Sequence, residues 1–294
     1  MKKLHGTGVA LVTPFDESGN IDFASLKRVL VHTAKGVDYF VVMGTTGESA
    51  TMSKDEKKKV LNFVLNNNRR KLPIVYGIGG NNTASVMEEI HQTDLSQVDA
   101  ILSVSPYYNK PSQEGIFRHF SVIAEASPRP VILYNVPGRT ASNLTPETIL
   151  RLARHKKIIG VKEASGNLEQ CMKIVKEKPP NFMLISGDDL LTLPIYSIGG
   201  VGVISVLANA FPVVFKKIKE FAFAGDYSKA QTELFKLVDI NAPMYEEGNP
   251  VGVKHLLSIM GICGPHVRLP LAEASEKLGA KIKAIYTATK KGQR

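Results

Sequence analysis

Cysteine is scarce in this chain: Cys171 and Cys263 are the only two among 294 residues, far apart and in no CxxC pair. That excludes a disulfide framework and a cysteine-ligated zinc site, and predicts a reducing, cytoplasmic setting. The seven histidines, His5, His32, His91, His119, His155, His255 and His266, are scattered without ligand spacing, so no metal site is expected. A glycine-rich phosphate turn is also missing. TPFDESGN follows the first apolar run, and neither GIGGNN nor GGVGVIS has the spacing of a GxGxxG or P-loop motif.

Long apolar runs are lacking as well. The uncharged stretch from Leu190 to Phe215 is interrupted by Pro194, Gly199, Gly200, Gly202, Asn209 and Pro212. It reads as a helix, a buried strand and the start of the next helix rather than a membrane span. At the amino end, the run VALVT is too short for a signal peptide and is cut by Pro14, Asp16 and Glu17, so no targeting segment is expected. Despite a net charge of +10, no basic stripe with interleaved aromatics is present. Lys54, Lys57, Lys58 and Lys59 alternate with Asp55 and Glu56 on a solvated helix face, which argues against nucleic acid as a partner. A positive field of this kind suits small anionic metabolites.

What is present is an alternation of short apolar β-type runs and longer amphipathic segments. Eight strands are predicted, over 6–14, 39–44, 73–79, 100–106, 130–137, 158–164, 182–189 and 200–206. Helix-period patterns lie between them, for example over 23–35, 54–67, 83–95 and 113–125, with start signals at Asp22, Ser53, Ser112 and Thr145–Pro146. Eight such units predict an α/β fold, a (β/α)8 TIM barrel over residues 1–224. A doubly wound open sheet is the competing architecture, and the missing phosphate turn counts against it. After residue 225 the strand signal stops, and a C-terminal helical appendage of three helices is expected over 225–294.

Barrel enzymes work at the carboxyl ends of their strands, and these ends are polar here: GTTGES (44–49), SPYYNKP (105–111), YNVPGRT (134–140), VKEASGN (161–167) and SGDD (186–189). Lys162 stands inside a run that otherwise reads as a buried strand. Partial desolvation there favours a neutral, nucleophilic amine, but a snorkelling lysine or an ion pair with Glu163 fits the residues equally well. The hydroxyls and free amides of GTTGES can hold a carboxylate or merely cap the next helix. Tyr134 ends the strand next to that of Lys162, as a proton handler or as a packing aromatic. Arg139 follows Pro137 and Gly138 in a loop, where a guanidinium can clamp a carboxylate or simply be solvated.

Taken together, GTTGES, PYYNKP, YNVPGRT and VKEASGN, in that order, resemble the dihydrodipicolinate synthase family of class I pyruvate aldolases, which includes N-acetylneuraminate lyase. The resemblance runs from the first strand into the helical appendage. It implies that Lys162 forms a Schiff base with pyruvate, that Tyr134 shuttles protons, and that Thr45 and Tyr108 complete a relay to solvent. Thr46 would hold the pyruvate carboxylate, Gly187 and Ile204 would line the same pocket, and Arg139 would bind the carboxylate of aspartate semialdehyde. The implied reaction is condensation of these two substrates in diaminopimelate and lysine biosynthesis, with no cofactor because the imine is the electron sink. Sialic acid or sugar acid cleavage by a sister aldolase is the alternative. A keto-acid sensor without turnover is a further reading, opposed by the presence of the lysine, the tyrosine and both threonines.

The family also implies a homotetramer built as a dimer of dimers, with Tyr108 shared across a dimer interface. Its lysine-sensitive members carry a feedback pocket that Ser49, Ala50, Asn81 and Tyr107 match. Lys54, Lys57 and Ser85 depart from it, replacing two histidines and a glutamate. Weak or absent lysine inhibition is therefore expected.

Overall fold

The computed structural model describes residues 2–291. Eight parallel strands run in sequence order around a closed barrel: β1 (Gly6–Ala10), β2 (Tyr39–Val42), β3 (Ile74–Gly77), β4 (Ala100–Val104), β5 (Val131–Asn135), β6 (Ile158–Glu163), β7 (Met183–Ser186) and β8 (Gly202–Ser205). The TIM barrel and its carboxyl-terminal helices are thus as the sequence indicated. Every strand falls within its expected window but is shorter, because the residues that follow, such as Met43 at φ +59° and the turn at residues 187–189, leave the ladder. β2, β5, β6, β7 and β8 are buried at every position, which explains their almost continuous apolar character.

The expected helix starts act through side-chain caps. Asp22 accepts from the Ser25 amide, Ser112 from Gly115 and Thr145 from Thr148, while Ser53 and Glu56 form a reciprocal capping box. These caps set the helices Phe23–Thr33, Gln113–Ala126, Pro146–Leu152 and Lys54–Asn67.

The chain divides into two compact units. One comprises residues 1–6 and 73–204, the other residues 7–72 and 205–294. The first carries β3 to β7 and the greater part of β8, with Tyr134, Arg139, Lys162 and Gly187. Its core is built from fully buried aliphatics such as Ile101, Ile132, Leu133, Val161 and Leu184.

In the second unit, β1 pairs with β2 and the carboxyl-terminal helices pack together. Buried Asn209 ties a loop to β1, donating to the Ala10 carbonyl at 2.7 Å and accepting from the Val12 amide at 3.2 Å. The expected first appendage helix is broken into Tyr227–Phe235, Val238–Asn241 and a 3-10 turn Ala242–Met244. Pro243, which lacks an amide hydrogen, sits in that last turn. Val251–Ile259 and Glu276–Lys291 form the other two helices, and residues 292–294 of the expected appendage lie outside the described residues. Among the described residues, no helix is long and apolar enough to cross a membrane.

Candidate active site

Lys162 and Tyr134 are brought together by strand register. They are Cα partners across β5 and β6, so their side chains leave the same face of the sheet. Lys162 is 6% exposed and Tyr134 7%, and the lysine Nζ lies 4.2 Å from the centre of the phenol ring. The ring face gives that long, flexible side chain a surface to rest on.

The ion pair with Glu163 does not form. Successive strand residues point to opposite faces, so Glu163 faces away from the lysine amine. Its carboxylate accepts from Asn135 Nδ2 at 3.1 and 2.9 Å, from Gln170 Nε2 at 2.8 Å and from the Ser165 amide at 2.7 Å. Among the described residues, Lys162 has no carboxylate partner.

Gly187 follows β7 and donates its amide to the Glu163 carbonyl at 2.7 Å, directly after the lysine. A Cβ at this position would stand 2.6 Å from the Ala164 Cβ, so only glycine lets the two strand ends approach. Ile204 is buried on β8, whose register with β7 pairs Ile185 with Gly202 and Ser186 with Val203. Arg139 is exposed on the short helical turn Pro137–Thr140, immediately after β5. Thr140 fixes that turn by donating to the Ser142 carbonyl at 2.8 Å. Tyr108 is 87% exposed on the loop after β4, with φ at +75°, a left-handed conformation that non-glycine residues seldom adopt.

Thr45 and Thr46 belong to the other unit, in the 3-10 turn Thr45–Gly47 after β2. Thr45 is exposed, whereas Thr46 is buried and its hydroxyl accepts from Asn249 Nδ2 at 3.1 Å. Accepting that bond leaves the Thr46 proton free to be donated to an anion. Glu48, with φ at +54°, anchors the turn. Its carboxylate meets Lys254 Nζ at 2.5 Å and the Arg268 amide at 3.0 Å, and the Lys254 and Glu48 side chains are only 0% and 1% exposed.

Four of these participants, Asn135, Gln170, Asn249 and Lys254, were not singled out from the sequence. A charge inside an apolar run is the signal that could have flagged Lys254, as it flagged Lys162. Among the described residues, no group of histidine, cysteine, aspartate or glutamate side chains could hold a metal ion. A primary amine beside a phenol can attack a carbonyl carbon and exchange protons with the resulting carbinolamine.

Known proteins share both the sequence and the fold. Residues 3–289 match the family model for the dihydrodipicolinate synthetase family. The chain is 50% identical over 287 residues to a 4-hydroxy-tetrahydrodipicolinate synthase of Cytophaga hutchinsonii, covering 97% of each chain. It is 49% identical to that of Flavobacterium psychrophilum, covering 96% of this chain and 97% of the relative. Among solved structures, dihydrodipicolinate synthase from Thermotoga maritima superposes with a TM-score of 0.94 at 35% identity, over 97% of this chain and 98% of that one. A monomeric dihydrodipicolinate synthase variant also superposes with a TM-score of 0.94 at 35% identity, over 98% of this chain and 97% of that one.

Proposed function

The chain belongs to the dihydrodipicolinate synthetase family, and on that premise we propose that it is a lyase condensing pyruvate with L-aspartate 4-semialdehyde. The product is 4-hydroxy-tetrahydrodipicolinate, on the route to diaminopimelate and lysine. The observation that carries this reading is the buried Lys162 amine, free of any carboxylate partner among the described residues and held against the Tyr134 ring.

In this reaction Lys162 Nζ adds to C2 of pyruvate, and water leaves the carbinolamine after its oxygen is protonated, with Tyr134 carrying the proton. The protonated imine then withdraws electrons as a methyl proton leaves, giving an enamine. The enamine carbon attacks the aldehyde of the second substrate, whose amino group closes the ring at C2 and expels the lysine amine. No separate electron sink is needed. Thr46 is assigned the pyruvate carboxylate through its free hydroxyl proton, and Gly187 and Ile204 are assigned to the wall around Lys162. Arg139 offers a bidentate contact to the semialdehyde carboxylate. The sialic acid and sugar acid lyases remain less favoured, because their polyol substrates require polar partners other than a lone guanidinium.

Tyr108 is proposed to act in trans, completing with Thr45 a proton relay in the site of a second copy. Its near-complete exposure in the single chain, on a left-handed backbone, supports a side chain turned away from its own strand end. This reading requires at least a dimer; the family resemblance suggests a tetramer of paired dimers and the scarcity of cysteine a cytoplasmic setting, and analytical ultracentrifugation distinguishes the oligomer from a monomer like the solved variant.

Borohydride reduction in the presence of pyruvate should leave a covalent three-carbon adduct on the peptide carrying Lys162. A coupled assay with pyruvate and aspartate semialdehyde should show turnover where N-acetylneuraminate gives none. An unmodified peptide would remove the imine from the mechanism.

A further inference from the structure

β5 and β6 are not in simple register. Val131 is opposite Ile158, but the next residue, Ile132, is opposite Gly160, so Ile159 is an extra residue bulged from the ladder. Everything beyond it is displaced by one: Leu133 faces Val161, Tyr134 faces Lys162 and Asn135 faces Glu163. Without the bulge, Tyr134 would be opposite Val161, and Lys162 would be opposite Asn135 on the other face of the sheet. A single-residue slip therefore removes the amine from the phenol.

A buried polar cluster sits immediately past that pair, on the opposite face. Glu163 is 2% exposed and Asn135 is fully buried. The Asn135 amide donates to both Glu163 oxygens and to Asn143 Oδ1 at 2.8 Å, while its own oxygen accepts from the Leu144 amide at 3.0 Å. Gln170 and the Ser165 amide supply the other donors to the carboxylate, and Asn143 Nδ2 donates to Gln170 Oε1 at 2.8 Å. Every partner of Glu163 is a neutral donor. Its oxygens meet Asn135 only in the bulged register, because the slipped register would bring Lys162 opposite Asn135 instead.

We propose that Glu163 is a positioning residue: its hydrogen bonds to Asn135 lock the bulged register of β6 and so present Lys162 to Tyr134. The proposal rests on the reading of Lys162 as the imine-forming lysine. Its energetic logic is that a buried carboxylate stripped of one donor, or a donor stripped of its acceptor, costs far more than an exposed one. The alternative register therefore forfeits the whole cluster.

Glu163→Gln tests it. A glutamine presents one acceptor and one donor to a set of donors, so it faces at least one donor opposed to donor. Asn135→Asp produces two opposed carboxylates. In the double variant E163Q/N135D the pairing is restored with the charge moved to the other strand. The glutamine NH2 then donates to the aspartate, and its oxygen accepts from one of Ser165 and Gln170, which in the parent bind different oxygens of Glu163.

The measurement is the rate of borohydride-trapped pyruvate adduct on Lys162, at a temperature where circular dichroism shows each protein fully folded. E163Q and N135D should each slow trapping about 100-fold, the scale of a misplacement near 1 Å, and the double variant, in which the 135–163 contact is restored, should recover part of that loss. Equal trapping by E163Q and the parent overturns the lock. So does a folded double variant that traps no faster than either single variant, since a merely structural cluster would couple the two positions in stability but not in the trapping rate. If E163Q does not fold, the double variant alone decides, by folding and trapping or by folding without trapping. A parent protein that traps nothing contradicts the functional reading instead, so the two failures are distinct.

Discussion

Tyr134 and Lys162 face one another across adjacent strands, with the amine 4.2 Å from the centre of the phenol ring. The ring and the hydroxyl do different things in this arrangement. Tyr134→Phe keeps the surface on which the amine rests and removes only the proton carrier. We expect kcat to fall by about 10²- to 10⁴-fold, the usual contribution of a positioned acid or base, with an unchanged melting temperature. Tyr134→Ala should also slow adduct formation, because the lysine loses the face that orients it. Steady-state rates and borohydride trapping on both variants separate the two contributions. Full activity in the phenylalanine variant would take the hydroxyl out of the mechanism.

Arg139 is exposed on a turn held by Thr140, whereas that pair is buried. Its guanidinium should therefore act on the second substrate alone. Arg139→Ala is expected to raise KM for aspartate semialdehyde by about 10- to 100-fold, the equivalent of about 1.5–3 kcal/mol for hydrogen bonds to a charged group, while pyruvate trapping stays as fast as in the parent. Arg139→Lys should recover only part of this, since an ammonium cannot form the planar two-bond contact. Loss of pyruvate trapping in the alanine variant would place the arginine in the first half-reaction.

Lys254 and Glu48 form an ion pair from which solvent is excluded. Lys254→Met leaves the Glu48 carboxylate buried and uncompensated, at an expected cost of about 3–5 kcal/mol. In E48Q/K254M the charge is gone but the glutamine oxygen can still accept from the Arg268 amide, so much of the loss should return. Denaturant unfolding of the three proteins measures this. Because Glu48 anchors the turn carrying Thr45 and Thr46, the single variant should also weaken pyruvate binding. Equal stability of K254M and the parent would show that the pair contributes nothing net.

Much of this organisation could be read directly from the residues. The spacing of apolar runs located all eight strands, and the polar residues ending those runs pointed to Lys162, Tyr134 and Arg139. Two kinds of feature were not legible. The bulge at Ile159 adds one residue to a run of isoleucine, glycine and valine that looks uniform, so the neighbouring of Lys162 and Tyr134 was legible but the irregular register that achieves it was not. Lys254 lies in the apolar helix VGVKHLLSI, while its carboxylate partner is 206 positions away. Local periodicity shows that such a charge is buried but not what neutralises it.

Feedback regulation offers a test that rests on charge alone. Lys54 and Lys57 lie on the capped helix Lys54–Asn67, and Ser85 is exposed on the helix Thr83–Gln92. Where the family's lysine-sensitive members carry histidines and a glutamate, these residues add positive charge and remove negative charge. A cationic amino acid should bind poorly there, and millimolar lysine should leave most activity intact. Saturable inhibition at low lysine concentrations would show that other residues compensate.

His119 supplies a pH dependence unrelated to catalysis. It is 6% exposed on the helix Gln113–Ala126, with Nδ1 2.8 Å from the Thr83 hydroxyl, an edge-on contact with Phe120, and a buried Nε2 that has no hydrogen-bond partner among the described residues. Burial penalises the imidazolium and pushes the pKa down to about 4 from an ordinary 6.5. The unfolded chain therefore takes up a proton near pH 6.5 that the folded chain refuses until near pH 4. The stability contribution is complete above pH 6.5, is lost progressively as pH falls toward 4, and changes no further below that. The difference corresponds to at most about 3 kcal/mol. His119→Asn keeps an acceptor for Thr83 but cannot titrate, so its unfolding free energy should fall less steeply than that of the parent between pH 6.5 and 4. Carboxylates titrating in the same range are common to both proteins and cancel in the comparison. Parallel slopes in urea unfolding across that interval would show that the imidazole is protonated equally in both states.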